Sequence, residues 1–594
     1  MLERAQALLK EHFGYTAFKP GQEKVISSLL AGGDTLAIMP TGAGKSVCYQ
    51  VPALIFGGIT LVISPLIALM KDQVDGMTAS GIPATFINSS LRSAEVGRRL
   101  EQAGQGRFKL VYVAPERLEI AEFQALAAAL DISFVAIDEA HCVSQWGHDF
   151  RPSYRKIAQF IHSLEQRPVL GAFTATATDE IRKDIIDFLD LREPRVFVSG
   201  FDRENLYFAV VRGENKKDFV LDYVNNNRNK PGIIYAATRR EVDNLYELLQ
   251  EKGYPCGRYH AGMSAVEREE NQEAFIHDDV TVMVATNAFG MGIDKSNVRY
   301  VLHYNMPKNM EAYYQEAGRA GRDGEPGECI LLFGAQDILL QKFMIGESVY
   351  NPRRKANEYC KLQQIAAYCH TSRCLRRYIL EYFGEQEVPE RCERCGNCSD
   401  DGDLIDVTVE AQKILSCVVR VKERYGATIV AEVLKGSKNK RVLQLRFDRL
   451  STYGIMAGYT LQEIKDLINL LAAEDYLALS GGEYPVVKLG RRAAAVLKSG
   501  EKVWQRKCKR KAVQVDEGLF EKLRLLRKEI AAREGVPPYL VFADSTLRAL
   551  SEQLPRDREE MLKVKGVGQY KLEKFGDEFL KLIRDYVKTV GESC

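Results

Sequence analysis

The sequence has almost no charge imbalance. Its 594 residues carry 82 Lys and Arg against 80 Asp and Glu, a formal net charge of +2. Total charge therefore says nothing about a nucleic-acid partner, and only local crowding, as at 435–449 and 488–511, bears on it. A secretory leader is also lacking: Met1-Leu-Glu-Arg-Ala-Gln6 mixes charges and has no apolar core ahead of a cleavage site. No apolar run is unbroken enough to span a bilayer. The uncharged stretch 51–70 has the length, but Pro52, Gly57, Gly58, Thr60, Ser64 and Pro65 divide it into a helix end, a turn, a buried strand at 60–64 and a loop. A cytoplasmic protein with no membrane partner is expected. At 46% hydrophobic and 27% charged residues the composition is that of a globular protein, and its length exceeds what one core can hold, so several domains are expected.

Three short segments far apart carry complementary chemistry. Thr41-Gly-Ala-Gly-Lys-Ser46 follows the strand-like 35–39 and precedes an apolar helical stretch at 47–56. Glycines at 42 and 44 permit the tight turn that points backbone N–H groups at phosphate from a helix N-terminus. Lys45 would reach the β/γ-phosphates of ATP and Ser46 would ligate magnesium. Met39 stands where the full P-loop pattern has glycine. Asp138-Glu-Ala-His141 follows the apolar run 132–137, so both carboxylates belong at the C-terminal edge of a parallel strand. Asp138 is the expected magnesium partner, and Glu139 would orient and deprotonate the attacking water. In Gln315-Glu-Ala-Gly-Arg-Ala-Gly-Arg322, Arg319 and Arg322 lie three apart, a spacing that on a helix puts both guanidinium groups on one face. Arg322 is the expected finger, with Arg319 and Gln315 beside it.

Thirteen cysteines are present, and one group has a pattern: Cys374, Cys392, Cys395 and Cys398. Two successive C-x-x-C steps and one upstream thiolate supply four soft ligands, enough for one closed, structural zinc site. Cys369 and His370 are alternatives to Cys374 for the fourth position.

Residues up to about 200 alternate strand-like and helical stretches, the pattern of a parallel α/β sheet, and a second such series starts near 205 with strands expected at 232–236, 280–286, 300–304 and 329–333. The second series has no P-loop, so nucleotide should lie between two lobes. A helical segment with the cysteines follows. Residues 405–500 combine amphipathic helices with strands at 476–480 and 485–489 around Gly481-Gly482, a hairpin signal that suggests a winged helix. The basic 506–511 stretch leads to a last helical unit, where Gly566-Val-Gly568 would present backbone amides to phosphate.

These residues, with Phe18-Lys-Pro-Gly-Gln22 and Thr174-Ala-Thr176, resemble the RecQ-type DNA helicases of superfamily 2 over essentially the whole length. The resemblance implies two tandem RecA-like lobes at 1–203 and 204–338, a zinc-binding helical subdomain at 339–402, a winged helix at 403–505 and an all-α HRDC unit at 515–594. It implies that Gln22 reads adenine, an edge that a side-chain amide matches with donor and acceptor. Thr174 and Thr176 would couple the ATP and DNA sites. Beside the acidic pair, Ser144-Gln-Trp-Gly-His-Asp-Phe-Arg-Pro-Ser-Tyr154 matches the family's aromatic-rich loop. There Trp146, His148, Phe150 and Arg151 would take DNA, with bases stacked on the aromatics and Arg151 on a phosphate, unless the two rings anchor the loop in the core instead. Tyr539, after Pro537-Pro538, is a further stacking residue by resemblance. Basic residues Lys435, Lys438, Lys440, Arg441, Arg446 and Arg449 would hold duplex phosphates or form a solvated face.

The expected activity is 3′-to-5′ translocation on single-stranded DNA and unwinding of duplex or branched DNA in recombination, repair and replication. Single-stranded-DNA-binding protein is the partner that the resemblance implies, for a nucleoid-associated monomer. Two other readings share part of the motif set: an RNA helicase, and a DNA-binding regulator whose lobes act as a switch. A switch need not retain Glu139 and Arg322 together.

Overall fold

The computed structural model describes residues 1–40, 42–65, 67–89, 91–147, 150–289, 295–399, 404–480, 482, 485–506 and 518–591. In the first lobe, β1 (Thr35–Ile38), β2 (Ile59–Ile63), β3 (Ala84–Ile87), β4 (Leu110–Val113), β5 (Ile132–Ile137), β6 (Val169–Thr174) and β7 (Arg195–Val198) form one sheet in the order β3-β4-β2-β5-β6-β1-β7. Each described pairing in it is parallel. The central strands are runs of Val, Ile, Leu and Ala buried on both faces, as a sheet covered by helices on each side requires. β5, β6 and β1 are neighbours, so the segments that follow them, the acidic pair, Thr174-Ala-Thr176 and the P-loop, leave one sheet at one carboxyl edge.

The second lobe repeats the plan with β8 (Leu206–Arg212), β9 (Gly232–Tyr235), β10 (Cys256–Tyr259), β11 (Val282–Ala285), β12 (Tyr300–His303) and β13 (Gly327–Phe333), ordered β10-β11-β9-β12-β13-β8. The four strands expected from apolar runs are β9, β11, β12 and β13. β7 and β10 are edge strands that carry arginine and keep exposed or half-exposed positions, which weakens an apolar signal; the edge strand β8 has an apolar run, 206–211, that the expectation passed over.

Helices Ala335–Ser348, Pro352–His370 and Leu375–Tyr382 pack on the second lobe, and one hydrophobic core runs from the first sheet through the second into this segment. Phe201 stacks on Phe383 with ring centroids 4.8 Å apart. The next unit has its own core. Its helices Thr408–Arg420, Ala427–Lys435 and Leu461–Ala473 are joined by an antiparallel hairpin of β15 (Leu477–Leu479) and β16 (Val487–Leu489); β14 (Leu404–Asp406) pairs with β17 (Trp504–Arg506). This is the expected winged helix with a second small strand pair added. Gly481 and residues 507–511 lie outside the described residues.

The C-terminal helical unit also has its own core, and it touches both lobes. Gly566 N–H donates to the Gly14 carbonyl at 3.2 Å, and a Cβ on Gly14 would come within 2.8 Å of Gly568 N. Across the second lobe, Arg299 lies 3.8 Å from Asp544, which itself pairs with the fully buried Arg527 at 2.7 Å. The expectation that Gly566-Val-Gly568 offers its amides to phosphate is thereby corrected: Gly566 donates to Gly14 and Val567 to Val564. Among the described residues no helix is long and apolar enough to cross a membrane.

Candidate active site

The P-loop leaves β1 and runs into the Lys45–Ile55 helix. Thr41 lies outside the described residues. Gly42 and Gly44 have φ of 85° and 80°, the left-handed region that glycine enters without a Cβ clash, and a Cβ on Gly44 would meet Gln22 Nε2 at 2.5 Å. Gln22 clasps the loop: Nε2 donates to the carbonyls of Ala43 at 3.1 Å and Gly44 at 3.0 Å, and Oε1 accepts from Lys19 N–H at 2.8 Å. Lys19 Nζ donates to the Gly42 carbonyl at 3.0 Å. Met39 gives the loop its carbonyl, which accepts from Lys45 Nζ at 3.1 Å, while its side chain is buried beside Cys48. Burial holds the Lys45 ammonium below its ordinary pKa, Glu139 and Asp138 oppose that, and Arg322 of the second lobe adds to it.

Asp138 follows β5, and its N–H donates to the Ile63 carbonyl at 2.8 Å. Glu139 takes φ of 47°, uncommon for a non-glycine residue, and its N–H donates to Asp138 Oδ1 at 3.0 Å. Burial and then the neighbouring Glu139 charge push the Asp138 carboxyl up. Burial pushes Glu139 up too, but His141, Lys45 and Arg319 outweigh it and hold the carboxyl low. His141 Nδ1 is 3.2 Å from Glu139 Oε2. Below the pair, Tyr154 hydroxyl donates to the Asp138 carbonyl at 2.7 Å. The adjacent carboxylates of buried Asp138 and half-buried Glu139 are oxygen donors that fit a hard divalent cation.

The arginines lie elsewhere than a helix. The Met310–Ala317 helix ends at Gly318, and Arg319 and Arg322 sit in successive turns, with Gly321 at φ of 54°. Glycines at 318, 321 and 324 break the helix that the three-residue spacing suggested. Both guanidinium groups still act on the first lobe, Arg319 on Glu139 and Arg322 on Lys45. Gln315 is on the helix itself, half-buried.

Sequence reasoning missed Arg203. It donates to the carbonyls of Gly318 at 3.2 Å, Ala320 at 3.1 Å and Gly321 at 2.8 Å, and a Cβ on Gly42 would meet its Nη1 at 2.6 Å. One cation therefore ties the arginine turns to the edge of the P-loop. No motif marks it, because its partners are backbone groups more than 100 residues away.

The loop after the acidic pair places Trp146 and Phe150 half-buried around a cleft of about 230 Å³, lined also by Gln145, Asn351 and Arg354. Arg155 lies over the Phe150 ring at 5.3 Å. Arg151 Nη1 donates to the Pro65 carbonyl at 2.9 Å. His148 lies outside the described residues. Tyr539, inside the short Pro538–Val541 helix, is buried, so its expected role as an exposed stacking residue is corrected.

Cys374, Cys392, Cys395 and Cys398 bring their sulfurs within 4.8 Å of one another, and Cys374 and Cys395 sulfurs are 3.9 Å apart. A tetrahedral S₄ zinc site needs sulfurs roughly 3.8 Å apart, so the set fits. His370 points away, against Phe333 and 3.4 Å from Asn469, and Cys369 is not among the converging sulfurs.

Five family models match in series: "DEAD/DEAH box helicase" over 19–184, "Helicase conserved C-terminal domain" over 215–324, "RecQ zinc-binding" over 335–399, "RQC domain" over 402–513 and "HRDC domain" over 516–583. The sequence is 51% identical over 591 residues to "ATP-dependent DNA helicase RecQ" of Bacillus subtilis, covering 99% of this chain and 100% of that one. It is 40% identical over 598 residues to the Haemophilus influenzae protein of the same name, covering 98% and 96%.

Proposed function

Because the chain belongs to the RecQ family of ATP-dependent DNA helicases, we propose that it moves 3′ to 5′ on single-stranded DNA and opens duplex or branched DNA in recombination, repair and replication. The observation that carries this reading is that Arg203, whose guanidinium holds the carbonyls of the arginine turns, stands against Gly42 of the P-loop, with the charges of Arg319 and Arg322 bearing on Glu139 and Lys45. A nucleotide site completed by residues from two lobes converts binding and release into closing and opening.

In this reading Lys45 and the amides beyond Gly42 and Gly44 hold the triphosphate, and Gln22 exchanges its P-loop carbonyls for adenine. Thr41 completes the P-loop. Ser46 and Asp138 would hold magnesium, which when bound neutralises phosphate charge. Glu139 orients and deprotonates water, assisted by His141, which keeps its carboxylate ionised. Arg322, with Arg319 and Gln315, stabilises charge developing on the transferred phosphoryl group, the term that contributes most in such reactions.

Single-stranded bases would stack on Trp146 and Phe150, each stack contributing about 1–3 kcal/mol, with His148 and Arg151 beside them. The winged helix, with Lys435, Lys438, Lys440, Arg441, Arg446 and Arg449, would hold duplex phosphates without reading sequence. The division at 1–203, 204–338, 339–402, 403–505 and 515–594 assigns motor, metal and DNA-holding tasks to separate units. A cytoplasmic, nucleoid-associated monomer working with single-stranded-DNA-binding protein completes the proposal.

The test is unwinding of 3′-tailed and 5′-tailed DNA duplexes, and of 3′-tailed RNA, by wild type and Lys45→Ala. ATP-dependent opening of the 3′-tailed DNA alone, lost in Lys45→Ala with DNA binding retained, is expected. Opening of the 5′-tailed duplex alone would reverse the polarity, and equal opening of RNA would favour an RNA helicase.

A further inference from the structure

Lys361 lies on the Pro352–His370 helix, outside every motif that marks the ATP and DNA sites. Its side chain is 10% exposed and makes two contacts, each to a different lobe. Nζ donates to the Trp146 carbonyl at 3.2 Å, in the aromatic loop that follows the acidic pair of the first lobe. The same Nζ is 2.9 Å from Glu311 Oε1, whose side chain is 5% exposed. Glu311 is in the first turn of the Met310–Ala317 helix of the second lobe, and that helix ends one residue before the turns of Arg319 and Arg322.

The rest of the Pro352–His370 helix is arranged around this bridge. Asn351 caps it, and with Arg354 in its first turn lines the cleft of Trp146 and Phe150. Arg354 and Lys361 are seven residues apart, two turns, so they fall on one stripe about 10 Å apart along the axis. Further along, Tyr368 hydroxyl lies 3.2 Å from Tyr313 hydroxyl, on the helix that carries Glu311. One face of one helix thus meets the aromatic cleft at its start and, beyond it, the helix that precedes the arginine turns.

A lysine suits the junction. A buried ammonium has three donors and no acceptor, so it can donate to a carbonyl of one lobe while its charge pairs with a carboxylate of the other. A shift of the aromatic loop pulls the Trp146 carbonyl against Nζ, and the ion pair transmits the pull to the first turn of the helix ahead of the arginines. Removing the charge severs that link and leaves both end points in place.

We infer that Lys361 is a positioning residue that couples occupation of the aromatic loop by single-stranded DNA to placement of Arg319 and Arg322 over the nucleotide. The inference rests on the reading that the loop binds DNA, and the experiment separates the two. Full-length Lys361→Met, Lys361→Arg, Glu311→Gln and Trp146→Ala are assayed for ATP hydrolysis with and without oligo-dT. The chain has two tryptophans, so a Trp504→Phe background leaves Trp146 emission as a direct report of DNA at the loop.

Lys361→Met is expected to lower the DNA-stimulated kcat about tenfold or more toward the basal rate. The DNA-induced change in Trp146 emission, basal hydrolysis and zinc content should stay as in wild type, and Lys361→Arg should restore most of the stimulation. Glu311→Gln, which keeps the shape and removes one charge, should show the same loss in weaker form and serves if Lys361→Met does not fold. Unchanged stimulation in both Lys361→Met and Glu311→Gln would overturn the inference. So would an equal fall in basal and stimulated rates with loss of zinc or of thermal stability, the mark of a merely structural lysine. If Trp146→Ala retains full stimulation and wild-type DNA affinity, the loop is no DNA site and the reading beneath the inference fails. Loss in Trp146→Ala beside normal Lys361→Met overturns the lysine's role alone.

Discussion

His141 Nδ1 sits 2.9 Å from the Thr174 hydroxyl oxygen, joining the ends of β5 and β6. The same nitrogen is 3.2 Å from Glu139 Oε2, and Thr174 hydroxyl donates to the Thr176 carbonyl at 3.2 Å. A chain of polar contacts therefore leads from the carboxylate proposed to activate water into the Thr174-Ala-Thr176 segment. Removing the hydroxyl frees His141 to turn away from Glu139. Thr174→Val is expected to lower the DNA-stimulated kcat about tenfold with little change in the KM for ATP, and Thr174→Ser to retain it. Steady-state hydrolysis over a range of ATP concentrations checks this. A raised KM at unchanged kcat would mean that the contact serves nucleotide binding.

Arg203 satisfies three carbonyls of the arginine turns from one guanidinium. Arg203→Ala leaves those turns to find other donors and loosens Arg319 and Arg322, so single-turnover hydrolysis is expected to slow by about 100-fold, the loss that a small misplacement of a group near the chemistry can cause. Nucleotide binding, measured with a fluorescent ADP, should change far less. Equal weakening of both would assign Arg203 to the ground-state complex.

Zinc should be part of the folding free energy of the cysteine segment. Cys395 is fully buried, its sulfur also accepts from Leu375 N–H at 3.4 Å, and Gly396 next to it packs on Ala209. Cys395→Ser is expected to lose bound zinc and to unfold at a lower temperature, read by metal analysis and thermal melting on one preparation. Full zinc content in that variant would remove Cys395 from the ligand set.

The docking of the C-terminal unit depends on bare backbone. A Cβ on Gly568 would come within 3.1 Å of the Glu11 carbonyl and 3.3 Å of Gly14 N. Gly568→Leu is expected to release the unit from the first lobe and raise the radius of gyration in solution scattering, while the far-UV circular dichroism stays constant because the unit keeps its own core. An unchanged radius would show that the salt links of Asp544 and Arg548 to the second lobe hold the unit alone.

The strands that matter for the site could be read from short apolar runs, because a parallel strand buried on both faces leaves few positions for polar residues. The edge strands β7 and β10 could not, since they carry arginine and remain partly exposed. The arginine segment shows the limit of spacing as a guide. Three residues apart is a helical interval, but glycine at 318 and 321 stops the helix first, and both arginines lie in turns. Gly566-Val-Gly568 misled for the opposite reason: the Gly566 amide is taken by Gly14 from the first lobe and the Val567 amide by Val564 beside it.

Local pattern was enough for the chemistry of each segment, for its place at a strand's carboxyl end, and for a cysteine set whose spacing brings four thiolates together, because those properties depend on residues within a few turns of one another. The fold alone chose the long-range partners. Arg203 against the arginine turns, Lys361 against Trp146, and Gly14 against Gly566 each join residues more than 100 positions apart, and Lys361 meets Glu311 across 50. Such pairs follow from which helix face meets which sheet edge and how closely the lobes approach, and packing across the whole molecule fixes that geometry.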